Sequence, residues 1–205
     1  MRLLSKQAKP SKEYIGDGRT AAVPLKKKNE ASSTPNKKTI ISAHPLSFYV
    51  EIRTLPRPVR IRQENATFIS QITPVTVGST VQFVNDDPFY HNVFSLTPGA
   101  KFNIGRRPTG AVVSQKVPRL TGEVEVADVG KIQLFCDINS QMNAQILSLN
   151  TPYFIRVDED GTFILEGLPA GRYQLRAYNP DFETVTVEIT LTQNEQATQD
   201  FNLSN

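Results

Sequence analysis

Thr184-Val-Thr-Val-Glu-Ile-Thr-Leu-Thr192 alternates apolar residues with polar ones along its whole length. Because successive side chains of a β-strand point to opposite faces, this alternation is typical of a half-buried strand. The residues that share its apolar face are Val185, Val187, Ile189 and Leu191. The same period recurs at 47–54, 80–84, 122–127 and 131–136, and turn-forming Gly, Pro, Asn and Asp lie between the runs. The sequence therefore predicts an all-β fold built from antiparallel sandwiches.

Length and composition restrict the possible functions. A chain of 205 residues with 39% hydrophobic content can form one large or two small domains with a real core. Two histidines, one cysteine and no tryptophan exclude a disulfide scaffold, a Cys/His zinc finger and an all-histidine metal site. The sequence has no glycine-rich phosphate loop and no Gly-x-Ser-x-Gly elbow. We interpret the adjacent Asp86 and Asp87 as solvated turn formers, and we predict that the protein is not an enzyme.

The net charge of +3 is divided unevenly along the chain. Residues 1–62 carry 14 Lys and Arg against 4 Asp and Glu, whereas residues 63–205 carry 9 against 16. We interpret residues 1–45 as a disordered basic arm, either a solvated spacer or an attachment to an anionic partner. No specific nucleic-acid motif accompanies it. No apolar run is long enough to span a bilayer, and the charged start does not resemble a signal peptide.

The β-rich part divides near Asn150-Thr-Pro152, where one series of strands ends and another begins. We predict a sandwich at 58–150 and a smaller one at 151–205. The second unit is close to the lower size limit for an independent core, so it needs support from elsewhere in the chain. A strand at 46–57 is expected to complete it.

Three soft metal ligands stand out in the first unit: His91, Cys136 and Met142. An imidazole, a thiolate and a thioether at the end of a β-sandwich suit a mononuclear copper electron-transfer site. Such a site normally contains a second histidine, which this sequence does not offer. Each residue also has an ordinary structural interpretation, because Cys136 and Met142 can fill a core and His91 can bond a loop carbonyl.

Several motifs resemble the plastocyanin-like cupredoxin domain of bacterial proteins often labelled methylamine-utilisation proteins. They include Val75-Thr-Val-Gly-Ser-Thr-Val-Gln-Phe-Val-Asn-Asp86, Tyr90-His-Asn-Val-Phe-Ser95 and Cys136-Asp-Ile-Asn-Ser-Gln-Met142. Leu168-Pro-Ala-Gly-Arg-Tyr-Gln-Leu175 resembles the carboxypeptidase-regulatory-like, transthyretin-type sandwich that commonly follows it. The resemblance covers about residues 47–203. It implies a Greek-key cupredoxin-like sandwich followed by a carboxypeptidase-regulatory-like one.

The resemblance also implies a ligand set and a function. The family's first copper histidine falls on His91, its cysteine on Cys136 and its axial methionine on Met142, while its second histidine falls on Asn139. Another family histidine, in the tail domain, falls on Asn179. The implied function is copper binding and electron transfer with a redox protein partner, at a type 1 site altered by Asn139. The implied location is the periplasm or the cell surface, whereas the charged start of the sequence leaves the cytoplasm open as the alternative. The alternative is a metal-free structural or interaction module, and the sequence leaves the oligomeric state open.

Overall fold

The computed structural model describes residues 20–23, 36–118, 130–193 and 195–204, and within them the all-β prediction is confirmed. The strands in chain order are β1 (Thr20–Val23), β2 (Ile40–Pro45), β3 (Val59–Glu64), β4 (Thr67–Phe68), β5 (Ile72–Thr76), β6 (Thr80–Asn85), β7 (Phe94–Ser95), β8 (Phe102–Asn103), β9 (Val112–Lys116), β10 (Gly130–Phe135), β11 (Asn143–Leu149), β12 (Tyr153–Arg156), β13 (Phe163–Glu166), β14 (Gly171–Tyr178) and β15 (Val185–Leu191). A short 3-10 turn occupies Asn36–Lys38. The described part of the chain contains no helix with the length and apolar character that a membrane crossing requires.

Nine of these strands form the first sandwich. A five-stranded sheet of order β5-β11-β10-β7-β8 faces a four-stranded sheet of order β4-β3-β6-β9. Both sheets contribute buried side chains to one core cluster, including Phe83 from β6 and Leu134 from β10. Two pairings are parallel, β3 with β6 and β5 with β11, so the expectation of purely antiparallel sandwiches is wrong there. Residue alternation is the same in both kinds of pairing, so the sequence pattern alone could not distinguish them.

The second sandwich has a four-stranded sheet of order β12-β2-β14-β15 and a two-stranded sheet of β1 and β13. Its core cluster includes Ile41 from β2, Phe163 from β13 and Leu175 from β14. The predicted strand at 184–192 is confirmed as β15. The predicted run at 122–127 lies outside the described residues.

The predicted N-terminal organisation needs correction, because the strand that completes the second sandwich is β2 rather than 46–57. β2 pairs with both β12 and β14, so residues 40–45 do not belong to a disordered arm. Its residues are buried on both faces, so they do not show the alternation by which the other strands were predicted. Residues 20–23 are also wrongly assigned to the arm, because they form β1 and pair with β13. The rest of the predicted arm lies mostly outside the described residues.

Residues 47–54 form no strand, although their side chains alternate between partly buried and exposed. Phe48 and Val50 pack against the second core cluster. The backbone bonds of this segment go to isolated groups instead of a ladder: the Arg53 carbonyl accepts from the Thr76 hydroxyl, for example. Gly171 makes room for the crossing chain, since a Cβ there would lie 2.7 Å from the Phe48 ring. The alternation of residues 47–54 therefore marks an extended segment that packs on the second sandwich without pairing in a sheet.

The two sandwiches meet through a third apolar cluster, to which both contribute. It contains Ile40, Ile72, Leu147, Leu149 and Tyr178, with Phe154 packed against them. Polar contacts cross the same boundary. The Tyr178 hydroxyl donates to Oε1 of Gln145 at 2.6 Å, and the Arg156 guanidinium donates to the Ile72 carbonyl and, at 3.3 Å, to the Ser70 hydroxyl.

Candidate metal centre

His91 lies at the end of the loop that follows β6, and its side chain is fully buried. Its backbone is held by a two-way bridge, because each amide of His91 and Arg107 donates to the carbonyl of the other, at 3.1 and 2.7 Å. The exposed Phe89 packs edge-on against the imidazole, with 5.0 Å between ring centroids. Both backbone and ring of His91 are thus restrained within the first sandwich.

The two ring nitrogens of His91 face different kinds of group. Nε2 lies 2.7 Å from Oδ2 of Asp87, and Nδ1 lies 3.7 Å from Sγ of Cys136. Asp87, His91 and Cys136 therefore form a continuous chain of side-chain contacts in a buried region. Asp87 is near His91 in the sequence, whereas Cys136 is distant from both. The structure brings together the predicted ligands His91 and Cys136.

Asp87 is not a solvated turn former, and the prediction for this residue was wrong. It is buried, and its carboxylate accepts the backbone amides of Asn65 at 2.6 Å and Ala66 at 2.9 Å. Burial by itself raises the pKa of the Asp87 carboxyl. The hydrogen bonds from His91, Ala66 and Asn65, with the attraction of His91, outweigh burial and lower this pKa below its ordinary value of 3.8. Asp86, in contrast, is exposed and pairs with Arg62 at 2.7 Å, as a surface turn residue would.

Cys136 follows the last residue of β10, where the strand period turns its side chain towards the apolar core. Met142 precedes β11 and belongs to the same core cluster. Both side chains are almost completely buried, at 3% and 2% exposure. The loop between them therefore returns two sulfur atoms to one end of the same core.

Asn139 occupies that loop and is engaged in closing it. Its carboxamide oxygen accepts the amide of Gln141 at 3.2 Å, and its carbonyl accepts the amide of Met142 at 3.0 Å. The side chain thus acts as a local turn former. An amide oxygen is also a hard donor that replaces imidazole poorly on copper.

Asn179 and the second histidine of the chain, His44, lie in the second sandwich. Asn179 is fully buried, donates to the Thr39 hydroxyl at 2.9 Å and accepts the amide of Asp181 at 2.9 Å. His44 lies within β2, where Nε2 is 3.0 Å from the Ser42 hydroxyl. Both residues have structural partners there, and neither is brought to His91.

The spacing of the donor atoms matches the geometry of a bound metal. Metal bonds of about 2.0 Å to nitrogen and about 2.3 Å to sulfur, the lengths found for zinc, span about 3.7 Å at a trigonal angle. This equals the observed separation between Nδ1 of His91 and Sγ of Cys136. Within the described ranges, no group of three or more His, Cys, Asp and Glu side chains could hold a metal ion. The fit therefore depends on two strong donors supplemented by the thioether of Met142, which such a grouping does not include.

Comparison with known proteins identifies the C-terminal part. Residues 140–204 match the family described as carboxypeptidase regulatory-like domain, which confirms the unit predicted for this end of the chain. The matched range begins before β11, which belongs to the first sandwich. The family match therefore includes one strand that pairs in the first sandwich. Among curated proteins, no match was found.

Solved structures similar to the chain are cupredoxins and a copper enzyme. A reduced variant of amicyanin has 15% identity and a TM-score of 0.38, with 45% of this chain and 82% of amicyanin covered. The purple cupredoxin from Nitrosopumilus maritimus has 17% identity and a TM-score of 0.36, with 44% and 99% covered. The copper-containing nitrite reductase from Thermus scotoductus has 18% identity and a TM-score of 0.40, with 53% and 26% covered.

The sequence predicts His91, Cys136 and Met142 as ligands, and it gives Asp87 no role beside them. Two signals were present: Asp87 precedes His91 by four residues, and it lies in a loop rich in hydrogen-bonding side chains, Asn85-Asp-Asp-Pro88. The alternation of the flanking strands contained no information about which carboxylate of the pair turns inward. That choice depends on the turn at Asn65 and Ala66, which comes from a different part of the chain.

Proposed function

We propose that this protein binds a single copper ion between His91 and Cys136, with Met142 as a weaker third ligand, and exchanges electrons with a redox protein. The observation that carries the proposal is the 3.7 Å separation of Nδ1 and Sγ in a buried core. The motif resemblance to cupredoxins supports the same assignment. When bound, copper would supply one-electron redox chemistry.

The chain's own residues would provide binding, orientation and exclusion of water. Cys136 would lose its thiol proton and present a thiolate, which is the form that ligates metals. His91 would present Nδ1, since its other nitrogen is engaged with Asp87. Cys136 and Met142 lie in one apolar cluster and His91 is fully buried, so water is kept away from both sulfur atoms and from the ring.

The donor set favours the reduced ion. Two of the three proposed ligands are soft sulfur atoms, and soft sulfur ligands select Cu(I). The second nitrogen donor of a type 1 site would have to come from position 139, where the asparagine is engaged with its own loop. We therefore expect tight Cu(I) binding and weaker retention of Cu(II).

Copper stoichiometry tests the proposal. The full chain should bind one equivalent of Cu(I) under anaerobic conditions, measured by competition with a chromophoric Cu(I) chelator. Cys136→Ser should abolish this binding because it removes the thiolate. His44→Gln is the matched control, since it changes the other histidine and should leave binding unchanged. Failure of the wild-type protein to bind stoichiometric copper in either oxidation state would overturn the proposal in favour of a metal-free interaction module.

A second ligand can be restored by Asn139→His, at the position where the resemblance places the family's second histidine. We expect the Cu(II)-loaded variant to develop an intense visible thiolate-to-copper band, because a second imidazole stabilises the oxidised ion. Gln141→His is the matched control, as it places an imidazole on an exposed position of the same loop. Equal spectra of the two variants would contradict a cavity open to a donor from position 139.

A further inference from the structure

We infer that Asp87 is a positioning residue, which fixes the proton of His91 on Nε2 and so directs the lone pair of Nδ1 towards Cys136. The consequence for copper rests on the proposed function. The consequence for the tautomer of His91 concerns the protein alone and holds without metal.

The hydrogen bonds that the Asp87 carboxylate accepts show why the proton of His91 is fixed on Nε2. Oδ1 accepts the amide of Asn65, and Oδ2 accepts the amide of Ala66 and lies 2.7 Å from Nε2 of His91. Two backbone N–H groups can only donate, so they favour a carboxylate that carries no proton. An ionised carboxylate has no hydrogen to give, so the contact with His91 requires a proton on Nε2.

The backbone around Asp87 prevents the carboxylate from turning away. Its amide donates to Oδ1 of Asn85 at 3.0 Å, and its carbonyl accepts the Thr109 hydroxyl at 2.6 Å. Asn85 is in turn held by the carbonyls of Phe89 and Arg107, at 2.8 and 3.0 Å. Main chain and side chain of Asp87 are thus both anchored, which is what a group that orients another must have.

A tight turn supplies the two amides. Asn65 and Ala66 connect β3 to β4 with φ values of 55° and 54°, as in the two-residue type I′ hairpin. An alanine is costly in this left-handed region, where glycine is usual. The turn directs two consecutive N–H groups at Asp87, so a strand connection remote from His91 in sequence stabilises the carboxylate that orients it.

The other ring nitrogen of His91, Nδ1, is affected by this arrangement. With the proton on Nε2, Nδ1 is an acceptor, and in the metal-free protein it can take the weak hydrogen bond of the Cys136 thiol at 3.7 Å. The same lone pair is the one a metal would use. A carboxylate on the far nitrogen of a ligating histidine fixes its ring orientation and raises its basicity.

The first test needs no variant. Two-bond nitrogen–proton spectra of metal-free, full-length protein, recorded at a pH where the imidazole is neutral, identify the protonated nitrogen of each histidine. With only two histidines, His44→Gln assigns the signals. We expect His91 to carry its proton on Nε2. A proton on Nδ1 in the wild-type protein would overturn the inference.

The second test compares two substitutions in one loop. Asp87→Asn introduces an NH₂ donor beside His91 and the turn amides, so we expect the His91 tautomer to shift and Cu(I) affinity to fall about 10- to 100-fold. Asp86→Asn makes the same chemical change one position earlier, at the ion pair with Arg62, and should leave tautomer and affinity unchanged. An unaltered His91 spectrum in folded Asp87→Asn would overturn the inference.

The copper and tautomer measurements separate this inference from the proposed function. If no variant and no wild-type protein binds copper while the His91 tautomer shifts in Asp87→Asn, the copper proposal fails and the positioning role stands. If copper binds equally to wild type and Asp87→Asn, the positioning role fails and copper binding stands.

Discussion

The two histidines of this protein are both buried, but in regions of opposite electrostatic character. His91 lies within the first sandwich beside an anion, the carboxylate of Asp87. His44 lies in β2, on the face that bears Ile40 and contacts the first sandwich, with the cation Arg176 nearby. Burial, followed by repulsion from Arg176, lowers the pKa of His44 to about 4, despite an opposing hydrogen bond with Asn150. Burial alone therefore does not define the electrostatic environment of a histidine, because the sign of the neighbouring charge differs between these two sites.

The two regions also depend differently on the assembly of the sandwiches. The partners of His91 come from the first sandwich alone: the β3–β4 turn, the loop after β6 and the end of β10. The surroundings of His44 are made where β2 and β14 face β11 and the segment after it. We therefore expect changes at the contact between the sandwiches to affect His44 and leave His91 undisturbed.

The largest effect is expected for Leu147→Ala. Leu147 is fully buried in the contact cluster, so truncation leaves a cavity and should cost about 2–5 kcal/mol of unfolding free energy. Urea denaturation measures the loss, and the imidazole signals of His91 should not move. Ile146→Ala is the matched control, because the adjacent side chain belongs to the core cluster of Cys136. That variant should be similarly destabilised but should shift the His91 signals. Equal shifts in both variants would contradict the independence of the two regions.

A smaller loss of unfolding free energy is expected when the pH is lowered. The folded protein keeps His44 neutral down to about pH 4, whereas the unfolded chain takes up a proton near pH 6.5. Stability is thus fully present above pH 6.5 and is lost as the pH falls towards 4, by about 3 kcal/mol from this group. Asp87 acts in a lower range: its pKa is depressed, so its contribution is lost only below the ordinary carboxyl value of 3.8.

His44→Gln checks this separation. Unfolding free energies should be measured by urea at several pH values between 7 and 3. From pH 7 to 4 they should fall less steeply in the variant than in the wild type. The additional loss below pH 3.8 should remain in both proteins. Identical slopes between pH 7 and 4 would show that the surroundings of His44 do not penalise its protonation.

Much of the fold could be predicted from local pattern. The runs at 80–84, 131–136 and 184–192 became strands because alternation along an extended chain is itself the physical requirement for one buried face. The same criterion failed at 47–54, where an extended segment has the alternation but no neighbouring strand to pair with. The alternation criterion also missed β2, because this strand is buried on both faces and its residues therefore do not alternate.

The candidate site was only partly predictable. His91, Cys136 and Met142 are the proposed ligands, and composition and motif spacing select them because the chain has few such side chains. Asp87 and Asp86 are chemically identical neighbours, and the sequence does not distinguish the carboxylate that faces two turn amides from the one that faces Arg62.

The sequence by itself determined the all-β class, the carboxypeptidase regulatory-like unit and the identity of the soft donors, because these follow from periodicity, motifs and residue chemistry. The tertiary structure decided that Asp87 rather than Asp86 meets the amides of Asn65 and Ala66, that His91 meets Cys136, and that β2 completes the second sandwich. Each of these depends on groups far apart in the chain. Their hydrogen bonds exist only after the sheets have packed, so no local pattern could encode them.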